Sequence, residues 1–272
     1  MSEEAAPPVD LESRDEGSGP AVLLVHGVGG DHTLWNDVIP RLSERFRVLA
    51  PDLRGHGRTA APAGSKFTFS EMIGDLVHLL DQRKVEAAHW VGLSAGGFIA
   101  LRVGLETPAR VRSLALISGA CFADSHMRAI LDRWAQTLAQ EGRDAYALRL
   151  LKDLYYPDWI EAHLEIADRV RGEAAGRDLV PAGQWARAVS AFDERARIAS
   201  LSRPVLLIQG IDDGVVDAAH GRIFRQSVPG AQLRLFPQTG HMVPVERPVE
   251  TAEALGTFLT SVESGTAPGS TG

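Results

Sequence analysis

Six short apolar runs set the frame of this chain: AVLLV (21–25), FRVLA (46–50), HWVG (89–92), SLALIS (113–118), PVLLIQ (204–209) and AQLRLF (231–236). Their length and β-branched content suit strands buried on both faces, as in a parallel sheet. Helical patterns fall between them, at about 32–45, 69–83, 95–106, 218–227 and 247–262. In FSEMIGDLVHLLDQ, Met72, Ile73, Leu76, Leu79 and Leu80 make one apolar stripe, with Glu71, Asp75 and Asp81 off it. Strands alternating with helices predict an α/β fold, a mostly parallel central sheet flanked by helices.

One region breaks the rhythm. Residues 122–199 show no strand pattern but several helix-like stretches, among them YALRLLKDLYY and QWARAVSAF. An all-helical insertion between two sheet strands predicts a cap over the carboxyl edge of the sheet, where open α/β folds bind ligands. The expected organisation is a core of residues 1–121 and 200–263, a helical cap of 122–199 and a disordered tail of 264–272. Residues 1–19 are polar and read as a loose arm with at most one short strand at Val9–Glu12. Trp134, Trp159 and Trp185 lie in the cap, mostly as its core.

Bulk properties narrow the function. A net charge of −7 without a basic run excludes a nucleic-acid footprint. No apolar run reaches the eighteen or so residues of a membrane helix. The start, MSEEAAPPVD, has neither a basic nor an apolar signal region, and one cysteine, Cys121, excludes an intrachain disulfide. These features favour the cytoplasm, and none of them fixes an oligomeric state.

The chemistry centres on HWVGLSAGGF (89–98). Ser94 stands where a strand pattern stops and a helical one begins, with Gly92 and Gly96 two residues to either side. Small residues suit a tight turn on steric grounds alone. The same strand–turn–helix context is also what a nucleophile elbow requires, and it puts the Ala95 amide at a helix N-terminus. A serine hydroxyl needs a base. His241, in PQTGHMVPVERP, follows the last strand pattern and stands at the same sheet edge as Ser94. His26 and His56 read as turn residues, His78 lies inside a helix, and His89 starts a strand. The base needs a carboxylate, and GIDDGVVD offers Asp212, Asp213 and Asp217. Spacing alone does not choose between Asp212 and Asp213. VHGVGG (25–30) is a Gly-rich loop after a strand that can offer the Val28 amide as a second oxyanion donor. It lacks the phosphate-binding glycine patterns, and neither a zinc-binding helix motif nor a cysteine pair is present. Cys121 reads as a small buried residue.

Together LLVHGVGG, VLAPDLRGHGRT, GLSAGG, GIDDGVV and TGHMVPVERP resemble the α/β-hydrolase superfamily, in its lid-bearing serine esterase and lactonase branch. The stretch from HGVGG to RGHGRT is similar to 3-oxoadipate enol-lactonases. The resemblance implies a triad of Ser94, Asp213 (three residues after Gly210) and His241, with Val28 and Ala95 as oxyanion donors. It assigns Asp52 and the RGHG turn to structure. It implies hydrolysis of a small ester or lactone through an acyl-enzyme, without metal or cofactor. A slow ligand-binding relative, or a C–C hydrolase or aminopeptidase with the same triad, stays as the alternative. Two departures stand out: the first strand of the fold is missing or displaced, and Thr59 replaces a common serine.

Overall fold

The computed structural model of the protein describes residues 7–267. Its seven strands are β1 (Ser13–Glu16), β2 (Ala21–Val25), β3 (Arg47–Pro51), β4 (Ala88–Leu93), β5 (Val111–Ile117), β6 (Val205–Gly210) and β7 (Gln232–Phe236). They form one sheet in the order β1-β3-β2-β4-β5-β6-β7. Every pairing is parallel except β1 with β3, which runs Ser13↔Pro51 to Glu16↔Val48. The α/β expectation therefore holds.

The core helices are α1 (Ile39–Leu42), α2 (Phe69–Gln82) and α3 (Ala95–Glu106). After β5 come α4 (Ser125–Gln140), α5 (Arg143–Leu154), α6 (Pro157–Ala162), α7 (Leu164–Gly176) and α8 (Val180–Ser190). The chain then returns to the sheet and adds α9 (Ala219–Ser227), α10 (Val243–Glu246) and α11 (Pro248–Glu263). Thr68 and Glu71 close a reciprocal capping box on α2, which fixes its start.

Side-chain alternation along the strands builds two cores. Leu23 and Val25 of β2 join the cluster under α2, α3 and the inserted helices, which includes Trp90, Phe98 and Trp185. Val22 and Leu24 join the opposite cluster, with Phe258 and Leu259 of α11. Each sheet face is thus covered, as the continuous apolar runs require.

Helices α4–α8 form one body between β5 and β6. Its two connecting segments pair with each other. Phe122 bridges Asp193, the Ala123 N–H donates to the Phe192 carbonyl at 2.9 Å, and the Glu194 N–H donates to the Cys121 carbonyl at 2.8 Å. This short crossed pair is the stem on which the helical body sits.

Four expectations are corrected. The N-terminal strand is β1, not Val9–Glu12. Its sequence SRDE is polar, and it is held by partners such as Arg47 on Asp15 (2.9 and 2.7 Å) rather than by apolar burial. The arm before it is pinned: Leu11 is buried, the Val9 N–H donates to Asp75, and the Glu12 N–H donates to the Thr59 hydroxyl. Residues 1–6 of the arm lie outside the described residues. The helix expected at 32–45 is a 3₁₀ turn, His32–Trp35, followed by α1, and Pro40 at the start of α1 lacks the N–H that a continuous helix would need. Residues 264–267 turn back onto the end of α11, where the Thr266 and Ala267 amides donate to the Ser261 carbonyl. Residues 268–272 of the expected tail lie outside the described residues.

Candidate active site

Ser94 sits between β4 and α3 with φ 53° and ψ −119°, a conformation that costs a side-chain-bearing residue about 1–3 kcal/mol. The surroundings hold it there. Its N–H donates to the Ile117 carbonyl of the next strand at 2.8 Å, and its own carbonyl accepts from Gly97 N–H at 2.8 Å. The flanking glycines are obligatory. A Cβ on Gly92 would stand 2.2 Å from the Gly96 carbonyl, and one on Gly96 would stand 2.3 Å from the Val25 carbonyl. Ala95 opens α3, so its amide is one of the N–H groups a helix leaves without an internal partner.

The loop after β2 passes against Ser94. A Cβ on Gly27 would lie 3.2 Å from the Ser94 Cβ. Gly30 N–H closes the loop onto the Gly27 carbonyl at 3.2 Å, and Gly29 adopts φ +73°. Val28 stands between these glycines. His26, read from the sequence as a turn residue, is fully buried and braces the loop. Its Nδ1 bonds the Gly27 carbonyl at 2.8 Å, while Nε2 accepts from Leu53 N–H at 3.0 Å. Burial holds its pKa below the ordinary histidine value, in spite of the bond to Gly27.

His241 follows β7 in the loop before α10. Its Nδ1 lies 2.8 Å from Asp213 Oδ2 and 3.0 Å from Oδ1. Asp213 Oδ1 also accepts from the Val215 and Val216 amides at 2.8 and 2.9 Å, which fixes the carboxylate. A neutral His241 bonded in this way carries its proton on Nδ1 and a lone pair on Nε2. Of the aspartates in this loop, Asp213 is the one whose carboxylate meets His241. Asp212 is exposed, and Asp217 accepts from Ala219 N–H at the start of α9. The Ser118 hydroxyl secures the His241 carbonyl at 2.7 Å.

Ser94, Val28 and His241 line one cavity of about 130 Å³. Ala95 is buried directly behind Ser94, and Asp213 lies behind His241. Most of the wall is apolar, including Phe98, Met127, Leu131, Leu150 and Val189. Of the three inserted tryptophans, Trp134 reaches this wall, Trp185 is fully buried against Phe69, and Trp159 stacks on Tyr155 and His163. Cys121 is buried, which pushes its thiol up to about 11 and leaves it protonated.

Sequence reasoning passed over Tyr146, Glu173 and Arg177, all of which line the cavity. Helical patterning marks the inserted helices without showing which of their polar residues turn inward. It also passed over Glu246, although this residue belongs to the TGHMVPVERP motif. The buried Glu246 carboxylate accepts from Gly240 N–H at 3.0 and 3.1 Å and from Tyr156 N–H at 3.1 Å. Asp31, His32 and Asp52 gather their side-chain ligand atoms within 4.8 Å of one another. Protein donors already occupy them: Asp52 accepts from His32 Nδ1 at 2.7 Å and from Arg58 N–H at 3.0 Å, and Asp31 accepts from Thr33 and Arg177. The cluster braces the turn, as Asp52 was expected to do.

The geometry agrees with the kinship. A hydrolase from Pseudomonas aeruginosa PA01 superposes with a TM-score of 0.83 at 30% identity, over 92% of this chain and 94% of that one. The enol-lactonase from Burkholderia xenovorans LB400 gives 0.85 at 28% identity, over 92% and 96%. Among curated proteins, RutD of Variovorax paradoxus, whose name provisionally assigns it carbamate hydrolysis, is 30% identical over 94% of this chain and 98% of its own. The sequence model of the family described as alpha/beta hydrolase fold matches residues 20–248. The chain belongs to the α/β-hydrolase fold family.

Proposed function

We propose that this protein is a serine hydrolase that cleaves a carboxylic ester or lactone through an acyl-enzyme. The observation that carries this reading is the convergence on one cavity of a strained Ser94 and a His241 whose far nitrogen is bonded to Asp213. Ser94 Oγ attacks the carbonyl carbon while His241 Nε2 takes its proton. The Val28 and Ala95 amides hold the oxyanion, an interaction worth about 3–4 kcal/mol for each donor lost. The tetrahedral adduct collapses, the C–O bond to the leaving alcohol breaks, and the imidazolium gives the alcohol its proton. Water, deprotonated by His241, then releases the acid by the same route. Asp213 keeps the base in the tautomer that accepts at Nε2 and stabilises the imidazolium.

The likeness to the enol-lactonase supports the lactone arm. The likeness to RutD supports a second reading, attack of the same serine on a carbamate carbonyl. The deciding test is a panel of short p-nitrophenyl esters, lactones and carbamates, run on the wild type and on Ser94→Ala. Hydrolysis of esters or lactones that the variant loses is the expected result. Turnover confined to carbamates selects the second reading. Activity retained in Ser94→Ala removes Ser94 from the chemistry. A folded wild type that binds panel members without turning any over makes the protein a binding relative.

A further inference from the structure

Apart from Ser94, His241 and the tyrosines Tyr146 and Tyr155, the polar side chains of the cavity wall are Glu173 on α7 and Arg177 just past its end. Arg169, Glu173 and Arg177 recur every four residues, on one face of that helix and just past its end. Glu173 and Arg177 line the cavity with Ser94. Arg177 is fully engaged. Its Nη1 donates to the Gly29 carbonyl at 2.6 Å, and its Nη2 meets Asp31 and lies 3.3 Å from Glu173 Oε1. Arg169 Nε is 4.0 Å from the same Oε1. The second Glu173 oxygen, Oε2, takes no hydrogen bond from any described residue. The Tyr146 hydroxyl, in the same wall, also has no hydrogen-bond partner among the described residues.

The Glu173 side chain is 34% exposed, so the open oxygen faces solvent until a substrate fills the cavity; it then becomes costly unless that substrate donates to it. The local charge says what that donor is. Arg169 and Arg177 balance Glu173 and Asp31, two cations against two carboxylates. An ammonium group would bring a third positive charge into a neutral cluster and lose its own hydration. A neutral donor meets the open oxygen without adding charge and at a smaller desolvation cost. Burial raises the Glu173 pKa, against the pull of Arg177 and Arg169.

We infer that Glu173 and Tyr146 form a specificity subsite for a neutral hydrogen-bond donor, a hydroxyl or amide N–H, on the part of the substrate that occupies the cavity. This rests on the hydrolase reading and narrows it. The substrate class is a small hydroxylated or amide-bearing ester or lactone rather than a plain alkyl or amino one. A substrate that fills the cavity without the donor shuts solvent from the Glu173 oxygen and leaves it unpaired, and such sites discriminate strongly.

The test compares methyl esters that differ by one group. Methyl 3-hydroxybutanoate and methyl 6-hydroxyhexanoate are set against methyl 3-methylbutanoate and methyl heptanoate, and against the 3-amino and 6-amino analogues as ammonium ions. Release of acid is followed by pH-stat titration in the wild type, Glu173→Gln and Glu173→Leu. In at least one series, the wild-type kcat/KM for the hydroxyl ester should exceed that of the methyl isostere by about tenfold, with the ammonium ester lowest. Glu173→Leu should bring the hydroxyl-to-methyl ratio to one or below, and Glu173→Gln should restore part of it. A ratio that Glu173→Leu leaves unmoved, or a preferred ammonium ester, overturns the inference while the hydrolase reading stands. If no ester is hydrolysed, that reading fails on its own. Calorimetric binding of 3-hydroxybutanamide and 3-methylbutanamide to the wild type and Glu173→Leu then decides the subsite. Tighter binding of the hydroxyl ligand that Glu173→Leu abolishes supports it, and equal binding rejects it.

Discussion

His241 hangs from the inserted helices by its backbone: its N–H donates to the Leu154 carbonyl at 2.8 Å, and Met242 N–H shares that oxygen at 3.2 Å. Leu154 ends α5 and lines the cavity with its side chain. The neighbouring loop docks on the same segment, since a Cβ on Gly214 would stand 2.7 Å from the Asp153 carbonyl. Asp153 in turn accepts from Trp134 Nε1 at 2.8 Å. The inserted helices that line the cavity, through Leu154 and Trp134, therefore also carry the loops of Asp213 and His241.

Gly240→Ala tests this coupling. The new Cβ would meet backbone only, 2.7 Å from Tyr156 N and 2.8 Å from the Leu154 oxygen, so no flexible side chain can yield. The loop must move off the Leu154–Tyr156 segment and take His241 with it. We expect kcat on a p-nitrophenyl ester to fall at least tenfold while the far-UV circular dichroism stays that of the wild type. An unchanged kcat would show that the two segments adjust independently.

Asp213→Asn keeps the shape of the carboxylate, and its oxygen can still accept from Val215 and Val216. The amide then donates to His241 Nδ1, which forces the imidazole proton onto Nε2, where the Ser94 proton should go. A tautomer reversed in this way costs about 10⁴ in kcat. Steady-state assays on the most active ester check it, and a loss below tenfold would contradict the proposed role of Asp213.

Parts of the molecule legible in the sequence share a physical reason. Strands buried on both faces leave continuous apolar runs, and the glycines around Ser94 are forced by backbone contacts near 2.2 Å. β1 was misplaced because an edge strand held by ion pairs and backbone bonds leaves no hydrophobic signature. His26 was read as a turn residue because its work, two hydrogen bonds to segments far apart in sequence, follows no local pattern. Glu173 escaped notice because on a helix at an interface, charge alone does not reveal which face turns inward.

Acid should destabilise the fold well above the carboxylate range. Burial pushes His56 down to about 3 and His89 down to about 4, and it lowers His26 as well. In the unfolded chain these groups titrate near 6.5. Between about pH 6.5 and 4 the unfolded state therefore binds protons that the native state refuses, so stability falls as pH falls. His56 and His89 each contribute a slope of up to about 1.4 kcal/mol per pH unit in that window, and His26 adds in the same direction. Asp15, Asp31 and Asp52, held low in the fold, add their losses only below about pH 4. Urea midpoints at pH 7.5, 6 and 5 should decline steadily, and a flat series would contradict this account.

Arg54 carries the most consequential buried charge outside the site. Its guanidinium is fully buried, with Nε and Nη2 on the two Asp75 oxygens at 2.6 Å and Nη1 2.9 Å from Glu71 Oε1. Asp75 also accepts from Val9 N–H, so the same cluster ties the N-terminal segment to α2. Arg54→Met removes the only guanidinium paired with these two carboxylates among the described residues and leaves both buried, which costs about 3–5 kcal/mol. Arg54→Lys keeps a charge but loses the planar fork, and should fall between the two. Combining Arg54→Met with Glu71→Gln and Asp75→Asn removes the stranded charges and should recover most of the loss. Urea unfolding of the four proteins orders them. If Arg54→Met alone costs less than about 1 kcal/mol, near the worth of an exposed pair, the cluster is far better solvated than its burial implies.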